Sequence, residues 1–407
     1  MIGESAMHID SGEMDFPVDP SETVLVESEE LKLSQERPQR WHDGTKLKHL
    51  QTLGVGNGTP AYGAIDPSSV VVRKGDVILE EGRDYILDHE WGSVGLGPES
   101  ESRVTSADTV TVDYSFSLLR IDSIIKTPDS RKLLKKGISN LTVPAPPFLE
   151  TGESRVANVF VPYYSDGSNA EIFPVQETPD QAVTHTTPGR LPQTMTRIEA
   201  DGPVRIVCWG DSVTAGGDAS SPDKRYTAVF ERKLKEKFPK ADITVETVAV
   251  GGSNSRQWLR PDEDKRGKTG RGAECIWGNV VNAKPDLVTV EFVNDAGFSL
   301  EQLDTTYTEI LSRIRSLGAE VIFITPHFTM MQMIGFKTMR DPECRPYVST
   351  LRGFAERNSC ALADASSRWA HLWKEGIPYI TLLKNAINHP DDRGHEIFAD
   401  ELLKCFA

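Results

Sequence analysis

A serine stands where an apolar strand is predicted to turn into a helix, a place from which its hydroxyl can act as a nucleophile. The stretch VRIVCW runs directly into Gly210-Asp211-Ser212, and Gly216 and Gly217 follow shortly after. A serine at such a turn is exposed at the edge of the sheet, because glycines let the backbone turn tightly around it. The tripeptide alone is a weak signal, since a serine that only caps the next helix would look the same.

Two further segments end in residues that can donate hydrogen bonds to a negatively charged oxygen. The stretch ITVETVAV leads into Gly251-Gly252-Ser253, where a glycine lets a backbone N–H approach a ligand closely. The stretch DLVTVEFV leads to Asn294, whose side-chain amide can donate to a developing oxyanion. Simple turn formation by the glycines and helix capping by the asparagine are the alternative explanations.

A histidine that can act as a general base comes near the C-terminus. His389 lies in the segment NAINHPDDRGH, just ahead of the last predicted helix. An imidazole on that loop can accept the proton of the Ser212 hydroxyl. A single loop histidine is more often a surface residue, so His389 is informative only in combination with the other three segments.

The elements that must position these residues alternate between apolar strands and amphipathic helices. Helices are predicted at four places: Tyr226 to Phe238, Leu300 to Leu317, Tyr347 to Arg357 and Arg393 to Phe406. Continuous apolar strands between such helices predict a doubly wound, flavodoxin-like α/β domain with a parallel sheet over residues 204–407. Active residues of this fold lie at the carboxyl ends of the strands, where all four segments are found.

The preceding part of the chain has a different pattern. From Glu22 to Val175, short alternating or β-branched runs are separated by Gly, Asp and Pro, which is typical of strands. We predict one β-rich, sandwich-like domain over residues 1–176, with a division into two small modules near Pro144 as the alternative. Residues 177–203 are rich in Thr and Pro and contain few large apolar side chains, which predicts a linker.

The order of Ser212, Gly252, Asn294 and His389 at strand ends of one α/β pattern resembles the four blocks of the GDSL/SGNH hydrolase family, and the likeness covers residues 204–407. The resemblance implies that Ser212 is the nucleophile and His389 the general base. It also implies that Gly252 and Asn294 form an oxyanion hole together with the Ser212 amide. Gly252 is favoured over Gly251, because Gly252-Ser253-Asn254-Ser255 fits the second block, Gly-x-[Thr or Asn]-Ser.

Two positions depart from the family pattern. Phe292 replaces the glycine that usually opens the third block, and we expect it to crowd or line the acyl pocket. Ala386 occupies the position three residues before His389, where the family has Asp. The candidates to orient the imidazole instead are Asn385, Asp391, Asp392 and a backbone carbonyl, and the remaining alternative is a dyad without an acid.

His395 is an alternative general base, because Asp392-Arg393-Gly394-His395 matches the pattern Asp-x-x-His. We favour His389, since the catalytic histidine of the family is followed by Pro and, some residues later, by Gly and an aromatic residue or His before the final helix. Residues 389–395 follow that order.

The family resemblance implies a carboxylic ester hydrolase that works through an acyl-enzyme on Ser212. Family members joined to β modules favour a short acyl group, most plausibly acetyl, on a carbohydrate, and Arg256, Trp258 and Trp277 are candidates for a sugar-facing rim, with packing as the alternative. One alternative is a lipase or thioesterase with a longer acyl channel lined by Phe328, Met330, Met331 and Met333. Another is an inactive hydrolase fold with a carbohydrate-binding or structural role, which the missing Asp would favour.

Composition narrows the partners. A formal net charge of -15 would repel phosphate backbones and anionic lipids, which argues against nucleic acid and membranes as partners. The five cysteines contain no CxxC pair, and neither HExxH nor an EF-hand motif is present, so no metal and no cofactor are predicted. The first residues lack the basic start and apolar stretch of a signal peptide. Compartment and oligomeric state stay open at this point.

Overall fold

The computed structural model describes residues 6–8, 15–52, 58–98, 102–260 and 274–407. The chain divides into two compact units. The first comprises residues 1–177 and 373–388, and the second comprises residues 178–372 and 389–407. The chain therefore leaves the second unit after Leu372 and returns to it at His389.

The first unit is built from antiparallel strands, which confirms the predicted β-rich domain. Its strands are β1 (Ala6–His8), β2 (Asp15–Pro17), β3 (Thr23–Leu31), β4 (Thr45–Lys46), β5 (Gln51–Thr52), β6 (Thr59–Pro60), β7 (Ile65–Lys74), β8 (Val77–Ile78), β9 (Tyr85–Leu87), β10 (Ser93–Leu96), β11 (Val110–Ser117), β12 (Arg120–Lys126), β13 (Lys132–Lys135), β14 (Ser154–Val161) and β15 (Glu171–Pro174). Two four-stranded sheets have the orders β3-β11-β7-β8 and β13-β12-β14-β15, and a three-stranded sheet has the order β4-β10-β9.

Alternation along these strands provides the interior of the first unit. Val72, Val112 and Tyr114 of the β7 and β11 strands are buried in one cluster with Tyr85 and Val94 of the smaller sheet. In a strand, every second side chain points to the same face, so the period-2 pattern of the sequence becomes one buried face.

The second unit is a parallel sheet with helices between its strands. Its elements are α1 (Pro192–Glu199), β16 (Pro203–Gly210), α2 (Tyr226–Lys237), β17 (Asp242–Ala249), α3 (Ser255–Leu259), α4 (Trp277–Asn282), β18 (Leu287–Glu291), α5 (Leu300–Ser316), β19 (Glu320–Ile324), α6 (Met331–Ile334), α7 (Pro346–Arg357), β20 (Ala361–Ala363), α8 (Ala365–His371) and α9 (Asp392–Lys404). The strand order is β17-β16-β18-β19-β20, and all pairs are parallel. This is the flavodoxin-like order 2-1-3-4-5, which confirms the predicted fold class.

The first strand of this sheet is buried on both faces. Val204 and Ile206 contribute to one hydrophobic cluster, whereas Val207 and Trp209 contribute to another. A strand covered by helices on both sides needs apolar residues at nearly every position, which explains the continuous run VRIVCW. The four predicted helices correspond to α2, α5, α7 and α9, with ends that differ by at most two residues.

Residues 178–203, for which the sequence predicts a linker, belong to the compact second unit instead. Leu191 and Ile198 are buried in the same cluster as Val204. The Glu320 carboxylate accepts hydrogen bonds from the backbone N–H groups of Gln193 and Thr194 at the start of α1. Buried apolar side chains, the capped start of α1 and hydrogen bonds of Thr186 and Thr187 hold this segment on the domain, although its average composition is polar. Among the residues that the structure describes, no helix is both long and apolar enough to cross a membrane.

Candidate active site

The turn after β16 presents Ser212 at the carboxyl edge of the sheet, where the serine is half-buried. The Ser212 carbonyl accepts a hydrogen bond from the Gly217 N–H over 2.7 Å, so the chain folds into a tight turn directly after the serine. Gly210 permits this path. A Cβ atom there would lie 2.1 Å from Thr214 Oγ1 and 2.3 Å from the Glu291 carbonyl oxygen, which leaves room only for glycine.

His389 lies between Ser212 and a carboxylate. Its Nε2 atom is 2.9 Å from Ser212 Oγ, and its Nδ1 atom is 2.6 Å from Asp218 Oδ2. The side chains of His389 and Asp218 are 13% and 6% exposed. With the proton on Nδ1 donated to the carboxylate, Nε2 presents its lone pair to the serine hydroxyl. This is the arrangement in which an imidazole can remove the hydroxyl proton while a buried carboxylate stabilises the resulting positive charge.

Asp218 is the residue that the sequence argument missed. The side chains that the sequence offers for this role, Asn385, Asp391 and Asp392, lie within four residues of His389, whereas Asp218 lies six residues after Ser212. Asp218 has a φ of 63°, a left-handed conformation that aspartate tolerates better than most residues. The sequence signal for this role was an acidic residue shortly after the nucleophile, in a glycine-rich loop. That signal does not show whether the carboxylate reaches the imidazole, because this depends on the conformation of the loop.

The side chains predicted to orient the imidazole make hydrogen bonds to other groups. The Asp392 carboxylate accepts hydrogen bonds from Ser220 N, over 2.8 Å, and from Ser220 Oγ, over 2.6 Å. Asp391 caps the first turn of α9. The Asn385 side-chain oxygen accepts from the backbone N–H groups two and three residues later. Closeness to His389 in sequence is a poor guide to the orienting residue, because each of these polar groups forms hydrogen bonds that stabilise a turn or a helix start.

His395, the alternative base, is fully buried and serves the loop that follows Ser212. Its Nε2 atom is 3.3 Å from the Gly217 carbonyl oxygen, and its Nδ1 atom is 3.4 Å from Tyr226 N, a long contact. Burial lowers the pKa of His395 to about 4, so the ring is neutral at neutral pH and donates from Nε2 to the carbonyl. The geometry therefore favours His389 as the histidine at the serine and gives His395 a supporting position.

A Gly217→Ala substitution is expected to lower kcat by roughly 100-fold, because it would displace the imidazole of His389. A Cβ atom at residue 217 would lie 2.9 Å from Cε1 and 3.0 Å from Nδ1 of that ring. Initial rates on p-nitrophenyl acetate would measure the effect. Gly278→Ala is a matched control, since its Cβ atom would meet nothing closer than 3.5 Å. Equal, near-normal rates for both variants would contradict the idea that the ring position is critical.

The two predicted oxyanion donors lie on neighbouring loops of the same edge. Gly252 is exposed, has a φ of 75°, and has open space where a side chain would extend. The exposed Asn294 donates from Nδ2 to Asp211 Oδ2 and to the Ser253 carbonyl oxygen, each over 2.9 Å. Asn294 thereby connects the loop of Ser212 with the loop of Gly252. Because both Nδ2 hydrogens are engaged, a substrate oxyanion would have to replace one of these acceptors.

Buried carboxyl groups form hydrogen bonds with residues of these loops. Burial raises the pKa of Asp211 to about 6, although N–H donors of the backbone partly offset this effect. Burial raises the pKa of Glu291 well above its usual value, and Thr214 donates to its carboxyl group over 3.0 Å. Burial also raises the pKa of Asp295 to about 7, and this group accepts hydrogen bonds from N and Oγ of Ser255. These contacts connect the end of β18 and the residues after it with the turn that follows Ser212 and with the start of α3.

The sequence predicts that Phe292 crowds or lines the acyl pocket, but the structure places this residue in the interior. Its side chain is 1% exposed, and its ring packs edge-on against Trp209 with 5.0 Å between the centroids. Trp258 is buried in the same cluster and packs edge-on against Trp209, so most of its side chain is core, and it also contributes to the wall of a cleft beside β17. These large aromatic residues belong to the core because helices cover that face of the sheet.

The residues proposed to line a long acyl channel are divided between the interior and the surface. Phe328 is buried and packs edge-on against Phe336, with 4.9 Å between the centroids, and the guanidinium of Arg345 lies over its ring. Met330 is also buried, whereas Met333 is 61% exposed. These residues therefore do not share one surface, which removes the main support for a channel made by them.

Comparison with known families finds a match in the C-terminal half of the chain. The sequence profile of the GDSL-like lipase/acylhydrolase family matches residues 208–397. The match identifies residues 208–397 as a GDSL-like domain. The family resemblance predicted from the sequence is thus confirmed, and the matched range of the GDSL-like domain includes Ser212, Asp218, Gly252, Asn294 and His389.

Several solved structures are similar to the chain at low sequence identity. A two-domain esterase active on acetylated mannans, co-crystallised with mannopentaose, is 18% identical with a TM-score of 0.42, and the alignment covers 56% of either chain. An acetyl xylan esterase is 19% identical with a TM-score of 0.38, covering 49% of this chain and 98% of the other. A catalytic mutant of an acetylxylan esterase from Geobacillus stearothermophilus is 19% identical with a TM-score of 0.37, covering 50% and 95%. The chain thus spans little more than half the length of the two-domain esterase, and no curated protein matches it significantly.

Proposed function

We propose that the GDSL-like domain is a carboxylic ester hydrolase with Ser212 as nucleophile, His389 as general base and Asp218 as the acid that orients and stabilises the imidazole. The observation that carries this proposal is the continuous chain of contacts Ser212 Oγ–His389 Nε2 and His389 Nδ1–Asp218 Oδ2, at 2.9 Å and 2.6 Å. The alternative of an inactive hydrolase fold was favoured by the missing Asp before His389, and the Asp218 contact removes that support.

The reaction follows from these positions. Ser212 Oγ attacks the ester carbonyl carbon while its proton moves to His389 Nε2, and the positive charge on the ring is stabilised by Asp218. The imidazolium then protonates the departing alcohol, leaving an acyl-enzyme on Ser212. Water gives a proton to His389 and attacks this intermediate, and the imidazolium returns that proton to Ser212 Oγ as the bond to the acyl group breaks and the carboxylic acid leaves. In both steps the carbonyl oxygen becomes negatively charged, and donors at Gly252 and Asn294 would stabilise it.

The acyl group is short, with acetyl as the expected group, and the alcohol is a carbohydrate. A polar cleft of about 420 Å³ runs beside the edge strand β17, and its polar side chains include Glu246, Glu274, Asn279 and Asn282. Carboxylates and carboxamides suit the hydroxyl groups of a sugar, and the volume lies in the range of ligand sites. The cleft reaches Val250, whose N–H donates to the Gly210 carbonyl two residues before Ser212. The polar lining of the cleft therefore supports a carbohydrate as the alcohol part of the ester.

The preference for short acyl groups is tested with p-nitrophenyl esters of increasing chain length. We expect kcat/KM to be highest for the acetate and to fall by about tenfold or more at octanoate, because the described residues offer no common apolar surface for the longer chain at Phe328 and Met333. Acetylated oligosaccharides should release acetate under the same conditions. A preference for octanoate, or the absence of acetate release from any acetylated sugar, would contradict the proposed substrate while leaving the hydrolase mechanism intact.

A further inference from the structure

Residues 373–388 lie within the sequence of the GDSL-like domain, but they belong to the β-rich first unit. The segment ends at Asn388, and the next residue is His389. The backbone that delivers the imidazole to Ser212 therefore comes directly out of the other unit. The contacts that hold residues 373–388 in the first unit therefore affect the backbone position of His389.

The beginning of the segment is fixed to the chain that follows β15. The Lys374 carbonyl accepts a hydrogen bond from the Gln176 N–H over 2.6 Å, and Glu375 forms an antiparallel bridge with Val175. The Gly376 carbonyl accepts from Nδ2 of Asn158 over 2.6 Å. Asn158 is itself buried in the first unit. The segment thus enters the β-rich unit as an added piece of strand.

Glycine is required where the segment passes this sheet. Gly376 has a φ of 77°, and a Cβ atom there would lie 2.9 Å from Cγ2 of Val175. Both the left-handed backbone and the lack of space exclude most side chains. The entry into the first unit is therefore a built feature of the chain, supported by backbone conformation as well as by hydrogen bonds.

The end of the segment is held by Thr142. Its Oγ1 atom donates to the Lys384 carbonyl over 2.8 Å, and its side chain is buried. Beyond Lys384 the chain turns sharply. Asn385 accepts the N–H groups of Ile387 and Asn388 over 3.0 Å and 2.9 Å, and Ala386 has a φ of 61°. Few backbone torsions are thus left to vary between the anchored carbonyl and His389.

We propose that Thr142 of the β-rich domain is a positioning residue for catalysis, acting through the Lys384 carbonyl and the turn that follows on the place of His389. This inference rests on the proposed function of His389 as the base. The imidazole must meet Ser212 on one nitrogen and Asp218 on the other, and a displacement of about 1 Å can cost roughly 100-fold in rate. The Thr142 hydroxyl, from a part of the chain outside the GDSL-like domain, holds the Lys384 carbonyl, which lies five residues before His389. The β-rich domain then contributes to turnover through the backbone that leads to His389.

The test compares Thr142→Val with Thr142→Ser in the full-length chain. Valine keeps the shape but removes the donor to Lys384, whereas serine keeps the donor. We expect Thr142→Val to lower kcat on p-nitrophenyl acetate by roughly tenfold with little change in KM, and Thr142→Ser to retain most of the wild-type kcat. A kcat of Thr142→Val close to wild type, or an equal loss in both variants, would overturn the positioning role.

Hydrogen exchange of the backbone separates this inference from the proposed function. We expect the amides of residues 385–389 to exchange faster in Thr142→Val than in Thr142→Ser, with the amides of β16 unchanged. This readout needs no turnover. Unchanged exchange at residues 385–389 refutes the positioning role even if the enzyme is active, whereas a wild-type protein that hydrolyses esters no faster than Ser212→Ala refutes the proposed function instead.

Discussion

Ser212→Ala is expected to lower kcat on p-nitrophenyl acetate by about 10⁴-fold or more, leaving only the rate that binding and oxyanion donors provide without a nucleophile. The methyl group of alanine cannot form the acyl-enzyme, and the Ser212 hydroxyl is the group that faces His389 Nε2 at 2.9 Å. Stopped assays of p-nitrophenol release, with active-site titration of the wild type, would measure the loss. A burst of p-nitrophenol equal to the enzyme concentration would report the acyl-enzyme itself.

The control for this prediction is Ser316→Ala, which removes an exposed hydroxyl at the end of α5. Its rate should match the wild type. Thermal unfolding of Ser212→Ala should also match, because the serine is only half-buried. If wild type and Ser212→Ala hydrolyse the ester equally slowly, the nucleophile is elsewhere or the domain is inactive.

Asp218→Asn is expected to lower kcat by roughly 10³- to 10⁴-fold with a small effect on KM. The neutral amide cannot stabilise the imidazolium that forms during attack, and its NH₂ group would favour the wrong tautomer of His389. Asp218 lies 2.6 Å from His389 Nδ1 and is nearly buried, so bulk water cannot easily replace the carboxylate. Steady-state rates over a range of substrate concentrations separate kcat from KM.

Asp392→Asn is the matched control, since it makes the same change of one oxygen to nitrogen on a carboxylate bonded to Ser220 rather than to the imidazole. Its kcat should stay close to wild type. A larger loss in Asp392→Asn than in Asp218→Asn would return the orienting role to Asp392, one of the candidates that the sequence offers for it.

The sequence could locate the site because the location depends on local patterns. Apolar runs and helical periodicity define where strands end, and a doubly wound parallel sheet brings those ends to one edge. Once VRIVCW, ITVETVAV and DLVTVEFV are taken as strands, Ser212, Gly252 and Asn294 must lie near each other. The position of His389 before the last helix follows from the family's order of blocks. None of these steps needs the path of a loop.

What the sequence missed depends on how loops return to the site. Asp218 reaches His389 only because the Ser212 carbonyl binds the Gly217 N–H and turns the chain back. The exchange of residues 373–388 into the β-rich unit depends on contacts between positions more than 200 residues apart, such as Thr142 and Lys384. The periodic patterns of strands and helices in the sequence do not predict such contacts.

The sequence by itself thus determined the fold class, the sheet edge and the serine, glycine, asparagine and histidine that lie there, since strand and helix patterns act over a few neighbouring residues. The tertiary structure decided which carboxylate meets the imidazole, why His395 stays neutral beneath the Gly217 carbonyl, and to which unit each segment belongs. These are outcomes of burial and of hydrogen bonds between distant residues, which exist only once the chain has folded.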